Sequence, residues 1–459
     1  MKQYLDTKQK NEIGYKYVMD LLNINSIYGQ DLLNTLKPYT NEAELEEEFN
    51  KIQIVQELLN NNKKVFKETE VLLARFKDIK NIVDNLEIMI LDEIEIFEIK
   101  KMIYNVKKLV VLFTPIETKL QEFNFFDYTP LFEYLDKDNS KMPFFHLYDE
   151  YSEKLKQNRR LLKENKDDES IKEIIKDEEL KVKVEISKTI ANYQDSLIAT
   201  IKQISKLDLL IAKAKVANNY NLNKPSFSKN IVLNQAYNPM IKEIVCQNGY
   251  NYTCLDIDIE ENISLITGSN MSGKSVTLKN ILLNTLLFQN GFYPFADQAS
   301  MPILSYILFV SDELQDVENS LSSFGMEVYV LNQALEIINN NDNGLIILDE
   351  FARGTNPVEA KKIVTGLIRY LKNKNVYAVL STHLDLDPDV KHVHYQVKGL
   401  DDCDIICSTS DDIQRVMDYT LVKVDKEKTV PYDAFKVMNF LNMDKELKKY
   451  IETEYKKGE

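Results

Sequence analysis

Eight consecutive residues, Gly268-Ser269-Asn270-Met271-Ser272-Gly273-Lys274-Ser275, carry the strongest chemical signal in this 459-residue chain. Their spacing is G-x-x-x-x-G-K-S. Glycines at both ends let backbone N–H groups turn inward around phosphate oxygens, and a helix starting there adds its positive dipole end. In such a loop Lys274 reaches the β- and γ-phosphates of a nucleoside triphosphate, and Ser275 holds Mg2+. A second group, Asp349-Glu350, follows the apolar run Leu345-Ile346-Ile347-Leu348. Asp349 is suited to bind Mg2+, directly or through water, and Glu350 to orient or deprotonate the attacking water. A third, Ser381-Thr382-His383, ends the run Val376-Tyr377-Ala378-Val379-Leu380 and offers His383 to the γ-phosphate or that water. A lone carboxylate pair or histidine means little on a surface. Behind short apolar strands downstream of the glycine loop, they form a set.

The elements that must position this set are legible as patterns. Ile263-Ser264-Leu265-Ile266-Thr267 reads as a strand entering the loop, and residues 276–289 read as the helix leaving it. Further β-branched runs at 304–310, 345–348 and 376–381 alternate with helical stretches, which predicts a mostly parallel sheet with crossover helices. Ligands of such sheets bind at the carboxyl edge of the strands. Composition changes after Asn221-Leu222-Asn223-Lys224-Pro225, so the domain boundary is set near residue 230. Residues 1–230 are expected to be all-α and residues 231–459 an α/β P-loop ATPase domain.

Within the first half, residues 45–60, 65–76 and 94–112 place apolar side chains at three- and four-residue spacing, with Pro115, Pro130 and Pro143 marking helix ends. Between 147 and 216 there is neither proline nor glycine. The cluster Asn165-Lys166-Asp167-Asp168-Glu169-Ser170 is the expected turn of a long helical hairpin over about 147–218, with Ser170 as N-cap. Beyond it Ile190, Tyr193, Leu197, Thr200, Ile204, Leu207, Ile211 and Ala214 follow heptad spacing. A single helix from 170 to 216 would span roughly 70 Å.

Composition bounds the function. An apolar fraction of 44% and a charged fraction of 28% describe an ordinary globular protein, and the sequence lacks an uncharged apolar run long enough for a membrane span. The N-terminal residues show no secretory signal, so a cytoplasmic location is expected. Cys246, Cys254, Cys403 and Cys407 lack metal-ligand or disulfide-framework spacing and read as reduced thiols. The net charge of −15 disfavours strong nonspecific binding to nucleic acid, whose affinity comes largely from basic side chains.

Residues 267–275 resemble the phosphate loop of the MutS family, which usually has Pro and Gly where Ser269 and Ser272 stand. Asp349-Glu350-Phe351-Ala352-Arg353-Gly354-Thr355-Asn356-Pro357 is similar to the family's acidic strand and following turn. Ser320-Leu321-Ser322-Ser323-Phe324-Gly325-Met326-Glu327 resembles its signature segment, and Thr382-His383 its switch histidine. Ser26-Ile27-Tyr28-Gly29-Gln30-Asp31 and Leu207-Asp208-Leu209-Leu210-Ile211 resemble parts of the helical core and lever, and Pro431-Tyr432-Asp433-Ala434-Phe435 the closing helix.

The resemblance implies a helical core and lever domain over 1–230, then an ABC-type ATPase domain using ATP and Mg2+. It also implies a dimer, expected to be a homodimer, in which Ser322 reaches the partner's nucleotide. Glycine-loop residues 268–275 would bind the nucleotide, Ser275 and Asp349 the metal, and Glu350 and His383 would serve catalysis. The domains that read mismatches and connect them are expected to be absent, as is the DNA-gripping clamp between the lever helices. Phe66-Lys67-Glu68 sits in a helical stretch and is read as coincidence rather than as a DNA wedge. Two functions follow. One is a DNA mismatch-repair or DNA-structure-binding ATPase. The other is an ATP-dependent factor acting on a client enzyme, such as the reactivase of a B12-dependent aminomutase (lysine 5,6-aminomutase).

Overall fold

The apolar periodicities become helices in the first half of the chain and strands with crossover helices in the second. The computed structural model describes residues 4–114, 123–165, 168–269, 272–311, 323–384, 386, 392–400, 417–424 and 444–458. Two compact units interleave along the sequence. Unit 1 is Met1–Leu21, Lys37–Asn50 and Ala217–Glu459, and unit 2 is Leu22–Leu36 and Lys51–Val216.

The chain opens with α1 (Thr7–Glu12), α2 (Tyr15–Asp20), α3 (Ile27–Asn34) and α4 (Glu42–Asn61). Unit 2 continues with α5 (Lys63–Leu73), α6 (Lys80–Asp84), α7 (Glu93–Phe113), α8 (Thr129–Leu135), α9 (Glu153–Glu164), α10 (Glu169–Ala191) and α11 (Gln194–Asn219). The division between units falls inside α4 and α11. Helix α7 starts at a capping box, Asp92 with Glu95, that satisfies otherwise orphaned N–H groups. Its face of Ile96, Ile99, Ile103, Val106 and Leu109 is buried, each side chain contributing about 1.5–3 kcal/mol over exposure. Phe66 is buried in α5 with its ring edge-on to Phe113, centroids 6.2 Å apart. A residue committed to the core in this way is no wedge.

Two distant segments of unit 2 meet at one carboxylate. Asp208 of α11 is fully buried and accepts bonds from Ser26 N–H and Ser26 Oγ, both 2.6 Å, while Ser26 Oγ caps α3 by accepting from Gly29 N–H. A Cβ on Gly29 would lie 2.5 Å from an Asp208 carboxylate oxygen, so only glycine lets the helix approach this closely.

The segment expected as a two-helix hairpin is three helices. Between α10 and α11 the chain breaks helical form at Asn192–Tyr193 without proline or glycine. Tertiary packing accounts for it: Tyr193 lies against the rings of Phe126 and Tyr128, and Tyr128 OH bonds Thr200 Oγ1 at 2.9 Å. The N-cap of α10 is Asp168 rather than Ser170, accepting from Ser170 and Ile171 N–H. A one-carbon-longer acidic side chain three residues before Ile171 outcompetes the hydroxyl.

In unit 1 the remaining elements are β1 (Ile231–Ala236), α12 (Pro239–Gln247), β2 (Leu255–Ile259), β3 (Ile263–Thr267), α13 (Lys274–Gln289), β4 (Gln298–Ser300), β5 (Ile307–Val310), α14 (Ser323–Asn340), β6 (Gly344–Asp349), α15 (Pro357–Leu371), β7 (Val376–Ser381), β8 (Val393–Leu400), β9 (Met417–Lys423) and α16 (Lys445–Gly458). Six strands form one sheet in the order β5-β6-β7-β3-β8-β9, parallel except for β9 at the edge. A separate antiparallel sheet, β2-β1-β4, was not foreseen from sequence. Strands β3, β5 and β7 are buried throughout, as expected of a sheet covered on both faces. The N-terminal residues belong to this unit: Asn238 donates to the Ile13 carbonyl and Tyr293 OH to the Phe49 carbonyl. The second half is thus a mixed α/β sheet structure following a helical region. Among the described residues, no helix is long and apolar enough to cross a membrane.

Candidate functional site

Parallel pairing brings the chemical residues to one edge. Asp349 is paired with Ser381 across β6 and β7, and Ser381 with Ile266 across β7 and β3. The carboxyl ends of three neighbouring strands therefore lie level, and the glycine loop leaves the middle of that edge. Its last glycine, Gly273, adopts φ +89° as N-cap of α13, and a Cβ there would press on the Tyr419 ring at 3.0 Å.

Lys274 is buried at the first turn of α13. Its ammonium donates to the carbonyls of Gly268 and Ser269, both 3.0 Å, and lies 3.2 Å from Glu350 Oε1. Ser272 is fully buried, and Ser269 Oγ and Ser272 Oγ have no hydrogen-bond partner among the described residues. Buried hydroxyls left unmade cost about 1–3 kcal/mol each. A bound phosphate would meet that demand, so the loop's donor set fits such a group. Ser275 is exposed one residue further on.

At the end of β6, Asp349 Oδ1 accepts from Ser381 Oγ at 2.5 Å, and the same hydroxyl accepts from Glu350 N–H at 2.9 Å. Glu350 and Ala352 hold φ of +49° and +68°, left-handed conformations that side chains disfavour by about 1–2 kcal/mol. The strain is held by the Ser381 bond and by buried Glu327 of α14, which accepts from Ala352 N–H at 2.6 Å. Arg353 then closes on Glu350 Oε2 at 2.8 Å. Asn356 caps α15 just beyond, with Pro357 at its first position.

The structure thus brings together Lys274, Asp349, Glu350 and the serines of the loop. His383 is exposed two residues past β7. Asn270, Met271 and Ser322 lie outside the described residues, as do Cys403 and Cys407. Cys246 and Cys254 are free thiols, and no cluster of three metal-ligating side chains occurs among the described residues. A Ser–Asp pair completed by phosphate and water would not form such a cluster.

Three contributors escaped sequence reasoning. Arg353 and Glu327 act on Glu350 and its strained turn, but an arginine three residues after a glutamate carries no special pattern. His394, on β8, bonds Thr267 at 2.7 Å, and burial, followed by the nearby His392, lowers its pKa. Beside the loop, α12, residues 250–255, the start of α13 and Tyr419 enclose a cavity of about 240 Å3. Tyr250 and Tyr252 both line it. Tyr252 OH accepts from Asn238 N–H at 3.1 Å, and burial pushes its pKa to about 12.

A glycine loop between a buried strand and a buried helix lies at the carboxyl edge of the mostly parallel sheet of an α/β domain. Residues 264–439 match the family model of MutS domain V. The chain is 32% identical over 203 residues to the DNA mismatch repair protein MutS of Staphylococcus epidermidis (strain ATCC 12228 / FDA PCI 1200), covering 44% of this chain and 23% of that one. It is 30% identical over 221 residues to the protein of that name from Staphylococcus aureus (strain JH9), covering 46% and 25%. The matched region spans about a quarter of the length of these curated relatives. The C-terminal part of the chain, over residues 264–439, is thus similar to MutS domain V.

Proposed function

We propose that this chain binds ATP with Mg2+ and hydrolyses it, as a MutS-type switch with a helical core and lever in residues 1–230 and a P-loop ATPase domain in 231–459. One observation carries the reading: Lys274, Asp349 and Glu350 converge at the carboxyl edge beside two buried serine hydroxyls that have no described partner. Lys274 exchanges the carbonyls of Gly268 and Ser269 for phosphate oxygens. Ser275 and Asp349 would hold Mg2+, which supplies charge neutralisation of the phosphates when bound. Glu350, freed from Lys274, takes a proton from the attacking water. His383 lies at the same edge as a sensor of nucleotide state, and the cavity lined by Tyr250 and Tyr252 takes the base. Ser322, supplied across a homodimer, completes the partner's site.

Equilibrium dialysis against ATP with magnesium tests this reading. Binding is expected for the wild type and loss of it for Lys274→Ala; a wild type that ignores ATP sinks the proposal.

The name of the relatives points to DNA mismatch repair as the role of the switch. A second reading, a client enzyme in place of DNA, is favoured by the net charge of −15 and by the connection between α9 and α10. That connection is only residues 165–168, with Asp167 and Asp168 in it. Titration of homoduplex, mismatched and branched DNA at low salt separates the two. Absence of binding by about 10 μM falls below ordinary nonspecific affinity and selects the client enzyme.

A further inference from the structure

Unit 2 carries a trough that the nucleotide reading leaves unused. Helices α5 and α7 pack against each other and present one stripe each to it: Lys64, Lys67, Glu68, Val71 and Leu72 on α5, and Tyr104, Lys107, Lys108, Val111 and Leu112 on α7. Phe132 of α8 closes the floor, and the enclosed volume is about 870 Å3. Val71 and Val111 are 51% and 71% exposed, large values for apolar side chains facing one another across a groove. The α5 stripe repeats at three- and four-residue spacing over the nine residues from Lys64 to Leu72, or about 13 Å of helix. That is the length over which a third amphipathic helix makes i, i+3, i+4 and i+7 anchors.

The charge around the trough opposes that of the whole chain. Six cations line it, Lys64, Lys67, Arg75, Lys107, Lys108 and Lys141, against three carboxylates, Glu68, Glu133 and Asp136. Asp136 is already paired with buried Lys100 at 2.8 Å, and Glu68 stands 3.9 Å from Lys64. Lys67, Arg75 and Lys108 enter no salt bridge with the described residues. Their charge is left for an anionic partner.

We infer that this trough docks an acidic amphipathic helix of a partner protein, its apolar face on Val71, Leu72, Val111 and Leu112 and its carboxylates among the rim lysines. A nucleic acid would need open ring faces for its bases and a row of cations for its phosphates. Here the rings are spent: Tyr104 stacks on Phe132 with centroids 6.2 Å apart, Lys108 covers Tyr104 at 4.3 Å and Lys107 covers Phe132 at 4.9 Å. Aliphatic side chains along both walls, between basic rims, instead match a helix with Leu or Ile on one face and Glu or Asp on its flanks.

The test is selection of a phage-displayed library of randomised helical peptides against the full chain, with Lys67→Glu/Lys108→Glu as counter-target. Both lysines are solvent-accessible, so the variant is expected to melt with the wild type. Enriched peptides are expected to be acidic and amphipathic. In fluorescence anisotropy they should bind the charge-reversed variant, and separately Val111→Asp, about tenfold or more weakly, and the wild type more weakly in high salt. Enrichment of basic or uncharged sequences overturns the inference, as does indifference to either variant. Displacement of the peptides by a single-stranded oligothymidine at equal strength reassigns the trough to nucleic acid. Self-association of the wild type that both variants abolish reassigns it to a second copy.

Discussion

Each unit buries a lysine against a carboxylate, and the two pairs are built for different ends. In unit 2, Lys100 is fully buried, 2.8 Å from Asp136, with the Phe144 carbonyl at 2.6 Å and the rings of Phe132 and Tyr148 around it. Asp136 is saturated in turn by Ser140 Oγ and Lys141 N–H, both 2.9 Å. In unit 1, Lys274 is nearly as buried, but its partners are two carbonyls and a glutamate on a left-handed backbone, with serine hydroxyls alongside that have no partner among the described residues. Burial of a lysine therefore does not mark a binding site. Backbone strain does not mark one either, since Lys141 beside Asp136 holds φ +55°; the mark is two hydroxyls of one loop, Ser269 and Ser272, that have no partner among the described residues and so leave a ligand something to satisfy.

The sharpest way to break this comparison is to cut the finished pair. Asp136→Ala leaves a buried ammonium without its counter-charge and is expected to destabilise by about 3–5 kcal/mol in urea melts. Asp136→Ala/Lys100→Met should recover most of that loss, since an apolar pair of similar volume is tolerated. Burial alone would raise the Asp136 pKa, but Lys100, the Lys141 N–H and Ser140 outweigh it and the net shift is downward. Its stabilisation is therefore complete above the ordinary carboxylate range and lost as pH falls through the depressed value. In unit 1 the corresponding change, Glu350→Gln, should leave the melt nearly unmoved, because Arg353 and Lys274 retain solvent or carbonyl partners. Turnover of ATP should fall about 10²–10⁴-fold with nucleotide binding retained. Normal hydrolysis by that variant would remove Glu350 from the role of base.

What the sequence disclosed and what it hid divide along the same physical line. The strand–loop–helix around Lys274 and the strands ending at Asp349 and Ser381 were legible because local pattern and tertiary role agree: a buried parallel strand is a short apolar run whatever surrounds it. The break at Asn192–Tyr193 was not, because heptad spacing continues through it and only the packing of Tyr193 on Phe126 and Tyr128 interrupts the helix. The antiparallel sheet of β1, β2 and β4 was hidden for a similar reason. Leu255-Asp256-Ile257-Asp258-Ile259 alternates as a half-exposed strand should, yet the third strand, residues 298–300 on the other side of β1, is too short to signal anything alone. Local sequence also could not show that Asp208 and Gly29 touch across 179 positions of chain, since only the fold sets their distance.

Arg353 offers a finer probe of the strained turn. It holds Glu350 from the solvent side, opposite Lys274, so its role is to position the carboxylate rather than to touch substrate. Arg353→Ala is expected to slow ATP turnover about tenfold while leaving ATP affinity within about twofold, and Arg353→Lys should restore part of the rate. Equal losses in affinity and rate would place Arg353 in the binding site instead.

The smallest effect concerns His394, and it separates the two units by acidity. Its pKa is held below the ordinary histidine value by burial and then by His392, while its ring bonds the Thr267 hydroxyl that opens the glycine loop. A depressed pKa means the unfolded chain binds the proton more readily. The stabilisation is therefore present above the unfolded value, near 6.5, and drains as pH falls toward the folded one. A single group can tilt stability by no more than about 1.4 kcal/mol per pH unit. Urea melts of the wild type between pH 8 and pH 5 should thus lose stability gently, in a window well above that in which Asp136 begins to titrate. His394→Asn keeps a polar partner for Thr267 without the titration and should flatten this slope while leaving the deeper acid transition in place. If the slope persists unchanged in the variant, the sensitivity of the loop strand to mild acid has another source, and the contrast between an unfinished edge and a finished core pair loses its support from pH.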